Sequence, residues 1–111
     1  MTMRILVLDN VPTRLAEIVL ALGNAKDVVI DARQSIERAQ FECGSFDLIL
    51  VHQGNDEAVP IEEPEWHRGR AALIVFSGGF APDRERYSDI LYVSARYLLK
   101  NVVAIVQEGV G

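Results

Sequence analysis

The chain has 111 residues, half of them hydrophobic and about a quarter charged, which suits one globular domain with a core of its own. Its net charge of −5 argues against a nucleic-acid binder, because such proteins usually carry a basic face. Its single cysteine, Cys43, excludes an internal disulfide and a zinc site built from cysteines.

The first predicted elements are a buried strand and an amphipathic helix. Residues 3–9 (MRILVLD) form an apolar run of strand length without alternation, as in a strand covered on both faces. Residues 11–24 follow with apolar side chains at helical spacing. These apolar positions are Leu15, Ile18, Val19 and Leu22. Pro12 is tolerated in a first helical turn, and Gly23 with Asn24 predicts the end of the helix.

The rest of the chain continues to alternate strands with helices. The further predicted strands are residues 27–32, 46–51, 71–76 and 89–94, and the further helices are residues 34–44 and 95–108. Two connections are irregular: residues 52–70 contain two prolines and little helical periodicity, and residues 77–89 have room for about one or two helical turns. This alternation predicts an α/β domain with a central parallel sheet and a shortened second half.

Polar residues follow the predicted strands at the sheet edge where α/β proteins bind ligands. These strand-end residues are Asp9, Asn10, His52, Ser77 and Ser94. With a strand order of 2-1-3-4-5, the ends of the first and third strands are neighbours, so Asp9, Asn10 and His52 would converge.

Three segments, ILVLDN, FDLILVH and LIVFSGG, resemble the receiver domain of response regulators, the phospho-acceptor module of two-component signalling. The resemblance extends from residue 3 to about residue 106 and weakens after Gly79. It implies a flavodoxin-like, receiver-type fold, a three-layer α/β sandwich around a five-stranded parallel sheet of order 2-1-3-4-5. One such domain would occupy residues 1–111. Because its second half is shortened, we expect either part of one sheet face or the edge of the fifth strand to be poorly covered.

The resemblance also assigns the site residues, with departures from the family pattern. Receivers hold magnesium with an acidic pair after the first strand; Asp9 matches the first acid, and Asn10 replaces the second. His52 stands where receivers have the aspartate that is phosphorylated. Ser77 matches the family's strand-four Thr or Ser, whereas the strand-five lysine is replaced by Ser94 or, in another register, by the following alanine.

These departures predict that the receiver chemistry is lost. Magnesium prefers anionic oxygen ligands, and the changes at Asn10 and His52 remove two carboxylates. An aspartyl phosphate requires a carboxylate nucleophile and cationic groups, and both are missing from the matched positions. We therefore expect no catalytic residue, no metal ion and no cofactor, and a protein that is not an enzyme.

His52 has three interpretations. It is a neutral imidazole hydrogen-bonded to Asp9 or Asn10, a phosphoryl acceptor, or a metal ligand acting with Asp9 or His67. Asp56 would supply further charge in the second and third cases. Two other readings have less support in the sequence: a hydrolase triad lacks a G-x-S-x-G motif, and a nucleotide or small-molecule site requires a deep apolar cleft.

The favoured prediction is a pseudo-receiver that acts as a protein–protein interaction module in signalling or regulation. Its partner would be another protein or a second copy of the chain, and the candidate partner-binding residues are Trp66, Arg68, Tyr92 and Tyr97. Neither nucleic acid nor membrane is expected as a partner, since no apolar run reaches the length of a membrane span. The N-terminus lacks a signal-peptide pattern, so a cytoplasmic location is expected.

Overall fold

A computed structural model describes residues 2–25, 27–34, 46–52, 71–78, 84–87 and 90–110. Within these ranges six strands and three helices form an α/β domain. In chain order they are β1 (Met3–Leu8), α1 (Pro12–Leu22), β2 (Val28–Arg33), β3 (Leu48–His52), β4 (Ala72–Ser77), β5 (Arg84–Tyr87), β6 (Ile90–Ser94), α2 (Ala95–Lys100) and α3 (Val102–Val110). No helix among these residues is both long enough and apolar enough to span a bilayer.

The strands form one sheet in the order β2-β1-β3-β4-β6-β5. Five of them, β2, β1, β3, β4 and β6, run parallel and are the five predicted strands in the predicted order 2-1-3-4-5. The predicted α/β, flavodoxin-like arrangement is therefore confirmed.

A sixth strand, β5, was not predicted. It pairs antiparallel with β6, with Arg84 opposite Val93 and Tyr87 opposite Ile90. The expectation of a poorly covered edge on the fifth predicted strand, β6, is therefore wrong, because β5 covers that edge. The segment RERY is rich in charge, and charged residues suit an edge strand because they discourage further pairing.

Both faces of the central strands are buried, as the continuous apolar runs indicated. One face meets the three helices. Its fully buried side chains include Ile5, Val7, Leu48, Leu50, Ile74 and Phe76 from the sheet, and Ile18, Leu22 and Leu98 from the helices. The other face forms a second cluster of Leu6, Leu8, Ile49, Val51, Leu73 and Val75. The helix predicted at residues 34–44 lies outside the described residues except for Gln34, and so does the connection at 52–70 except for His52.

The predicted last helix is two helices instead of one. Ser94 is the N-cap of α2, and its Oγ accepts a hydrogen bond from the amide of Tyr97 at 3.2 Å. Asn101 is the C-cap of the same helix. Asn101 has φ −139° and ψ 36°, and its side-chain amide donates to the carbonyl of Tyr97 at 3.0 Å. Asparagine competes with helical hydrogen bonds in this way, and the break lets α3 pack against α1 on the helical face of the sheet.

Candidate functional site

The strand register brings the predicted strand-end residues to one edge of the sheet. Leu8 of β1 lies beside Val51 of β3, so the next residues, Asp9 and His52, follow neighbouring strands. Further along this edge, Ser77 and Ser94 are register partners at the ends of β4 and β6. The polar residues thus lie where open parallel sheets bind their ligands.

Asp9 is held by an arginine from the first turn of α1. The Asp9 carboxylate accepts from Arg14 Nε at 2.6 Å, from Arg14 Nη2 at 2.8 Å, and from the amide of Val11 at 3.0 Å. The Asp9 side chain is 0% exposed and the Arg14 side chain 19% exposed. This bidentate geometry is the strongest form of carboxylate recognition by arginine, and it compensates a charge that would be costly to bury alone.

Arg14 also contacts an aromatic side chain of β4. Its guanidinium carbon lies 5.6 Å from the centre of the fully buried Phe76 ring, within the range of a cation–π contact. The ring of His52, the register partner of Phe76, lies 5.3 Å from Phe76 at an interplanar angle of 54°. The carboxylate, the guanidinium, the phenyl ring and the imidazole therefore form one compact cluster at this edge.

His52 is half-buried, and its Nδ1 is buried without a hydrogen-bond partner among the described residues. The Asp9 carboxylate accepts from Arg14 and Val11, and the predicted hydrogen bond from His52 to Asp9 or Asn10 is not formed among the described residues. Burial lowers the pKa of His52, the Arg14 charge lowers it further, and Asp9 acts in the opposite direction. His52 is accordingly a neutral imidazole near neutral pH.

The pKa of Arg14 is raised, first by its hydrogen bonds to Asp9, while burial acts against that rise. Arg14 therefore stays charged throughout the physiological range. The positive charge nearest to Asp9 is thus a fixed part of the chain.

Ser94 has a structural partner of its own, since its Oγ caps α2. Asn10 and Ser77 are half-buried and each is engaged in a contact. The position at which the resemblance places a lysine is therefore occupied here by a residue that caps a helix.

The tyrosines proposed for partner binding do not form one surface. Tyr92 packs against the cluster on the sheet face away from the three helices, and Tyr97 packs against the core on the helical face. Both are half-buried. Trp66 and Arg68, the other two candidates, lie outside the described residues, as do Asp56 and His67.

Arg14 is the residue that the sequence analysis missed. A signal for it exists, because a basic side chain in the first turn of a helix opposes the helix dipole and is expected there mainly with an acidic partner. α1 has no acidic residue in its first turn, and the preceding strand ends at Asp9, five positions before Arg14.

Within the described ranges, no group of three or more His, Cys, Asp or Glu residues is placed to hold a metal ion. Comparison with known proteins adds no relative, since no family model, curated protein or solved structure matches this chain.

Proposed function

We propose that this chain is a receiver-like domain without phosphoryl chemistry that acts as a protein–protein interaction module in signalling or regulation. The observation that carries the proposal is the bidentate ion pair between Arg14 and Asp9. A cation at the end of β1 would have to compete with a guanidinium that already holds both carboxylate oxygens.

Two further features support the proposal. His52 follows β3 as a neutral imidazole beside a cationic guanidinium, and it offers no carboxylate for an acyl phosphate. Ser94 uses its hydroxyl to cap α2, so the end of β6 contributes no positive charge from this position. A guanidinium thus binds the acid that would hold the cation, an imidazole stands in place of the acceptor carboxylate, and a capping hydroxyl stands in place of the lysine.

A domain that lacks phosphoryl chemistry at its strand ends would act through its surface. The exposed side chains include large apolar ones, with Leu20 at 78%, Val29 at 50% and Val11 at 37% exposure. Exposed apolar side chains that lie close together indicate a docking surface, whereas isolated ones are ordinary.

The chemical half of the proposal is tested by amide NMR of labelled protein, titrated with magnesium and then with beryllofluoride, a phosphoryl mimic. We expect no clustered shifts at Asp9, His52 and Ser77. A saturable shift of these three amides would overturn the proposal. The same titration is carried out on Arg14→Met, which removes the partner of Asp9. Arg33→Met is its matched control, because Arg33 makes a similar bidentate pair with Asp31 in the exposed part of β2.

A second candidate, a phosphoryl acceptor or metal ligand at His52, is favoured by one observation. The lowered pKa keeps the imidazole neutral, and a neutral imidazole is both a nucleophile and a metal ligand. Phosphoramidate, which phosphorylates histidine, separates the two candidates. A mass increase of one phosphoryl group, absent in His52→Gln, would establish the second candidate and reject the first.

A further inference from the structure

The outer edge of β2 is one of the two edges of the described sheet. The amide of Met3 donates to the carbonyl of Asp27 and that of Asp9 to the carbonyl of Arg33, so the odd-numbered residues of β2 direct their backbone groups towards β1. The even-numbered residues, among them Ile30 and Ala32, direct theirs outward. This row of outward N–H and C=O groups is a template for pairing with another strand.

An apolar groove of about 370 Å³ lies between this edge and α1. Its walls are mainly side chains spaced three or four residues apart along α1, together with the end of β2. They are Pro12, Leu15, Ala16, Val19, Leu20, Ala32 and Gln34. Leu20, at 78% exposure, stands out from this stripe, so α1 has a second apolar flank beside the one that contacts the core.

We propose that a second copy of this chain occupies the groove, in a two-fold dimer that joins the β2 strands of the two copies edge to edge. The axis is perpendicular to the sheet, so the two β2 strands pair antiparallel and both α1 helices lie on the same face. The interface is isologous, and each copy contributes the same residues.

The spacing of strands and helices favours a second copy as the occupant. α1 contacts both β1 and β2, so it lies above the line between them. With neighbouring strands about 4.8 Å apart, a paired β2 places the two α1 helices about 10 Å from each other. That is close to the distance of about 8–10 Å at which helices pack. Small Ala16 and projecting Leu20 supply complementary shapes for this contact.

The charges on β2 select the register. Two-fold registers centred on Ile30, Asp31 or Ala32 all align the outward backbone groups. The register centred on Asp31 places two aspartates opposite each other, and the one centred on Ile30 places Asp31 opposite Val29. The register centred on Ala32 places Asp31 opposite Arg33 of the second copy, twice by symmetry. Opposite charges at such cross-strand positions stabilise a sheet.

This proposal names a partner for the interaction module and rests on the proposed function in that respect. Its site lies at the β2 edge, and the chemical half of the proposed function is tested at Asp9 and His52. A dimer that fails to form leaves a module with another partner, whereas clustered magnesium or beryllofluoride shifts would reject the module and leave the dimer intact. The two failures are therefore distinguishable.

A charge-swap experiment tests the register. Asp31→Arg places like charges opposite each other in the dimer, and so does Arg33→Asp. Both side chains are exposed, at 37% and 42%, so neither change touches the core. Sedimentation equilibrium should show the dimer Kd of each single variant raised about tenfold or more. An equimolar mixture of the two variants should recover dimers as heterodimers, because each chain then meets opposite charges on the other.

Two more variants complete the test. Leu20→Glu should raise the dimer Kd about tenfold or more relative to the wild type, with an unchanged circular dichroism spectrum. Glu85→Lys is the control at the opposite edge of the sheet, at an exposed position of β5, and should leave the dimer unchanged. The proposal is overturned by a wild-type chain that stays monomeric at millimolar concentration, by a variant mixture that does not recover, or by loss of the dimer in Glu85→Lys alone.

Discussion

Arg14 binds the buried carboxylate of Asp9 with two hydrogen bonds, at 2.6 and 2.8 Å, and lies over the ring of Phe76. The acid that follows β1 is thereby neutralised from within the chain. A charge supplied by a side chain, unlike one supplied by an ion, does not vary with the composition of the solvent.

The first prediction concerns the stability that this pair supports. Arg14→Met should lower the free energy of unfolding by about 3–5 kcal/mol, because it leaves Asp9 buried without its cation. Arg33→Met, which removes an equally bidentate but exposed pair, should lower it far less, because solvent screens an exposed ion pair. Urea unfolding of both variants measures the difference, and equal losses would show that burial of the Arg14 pair is unimportant.

The second prediction is a gain of cation binding. The double variant Arg14→Met with His52→Asp releases Asp9 and adds a second carboxylate beside it, which supplies the oxygen ligands that magnesium prefers. Amide NMR should then show shifts at positions 9 and 52 at millimolar magnesium, with none in the wild type. If the folded double variant does not respond, the guanidinium is not what excludes the cation.

The third prediction is a pH dependence from His52. Burial and the Arg14 charge lower its pKa in the folded chain, whereas the unfolded chain has the ordinary value of about 6.5. Between these two pKa values the unfolded state binds more protons than the folded state, so the free energy of unfolding increases with pH in that range. The contribution of His52 is fully present above about pH 6.5 and is lost as the pH falls through the folded pKa. Urea unfolding at several pH values should show this slope reduced in His52→Gln. A wild-type-minus-variant difference that does not change with pH would contradict the assignment.

The fourth prediction separates capping from packing at Ser94. Ser94→Ala should destabilise the protein by about 1 kcal/mol, because it removes the acceptor for the Tyr97 amide. Ser94→Gly should cost less than Ser94→Ala if capping dominates, since glycine is tolerated at N-caps. The reverse order in thermal unfolding would mean that the buried volume of the side chain matters more than its hydroxyl.

The parallel strands could be predicted from the sequence because their signal is local. Runs such as LILV in β3 and LIVF in β4 are apolar at every position, are of strand length and contain β-branched residues, which is typical of strands covered on both faces. β5 could not be predicted so easily, because RERY has no apolar face and becomes a strand only through its pairing with β6. The break at Asn101 was hidden by the apolar spacing that continues through it.

The position of the site could be predicted from the sequence for the same reason, but the contacts within it could not. Strand ends can be located by counting, and the register then determines which ends are neighbours. The contact between Asp9 and Arg14 depends on the direction that the chain takes between β1 and α1. That direction is a tertiary property, and so is the partial burial that leaves Nδ1 of His52 without a partner in the described part of the chain.

The packing of α3 against α1 has a consequence for synthesis of the chain on the ribosome. Ile18 and Leu22 of α1 share one cluster with Ile105 and Val106 of α3, although about three quarters of the chain separates them. The first helix therefore emerges long before the residues that cover it. Until Val106 has left the exit tunnel, the nascent chain exposes an incomplete apolar face, which is the kind of surface that chaperones bind.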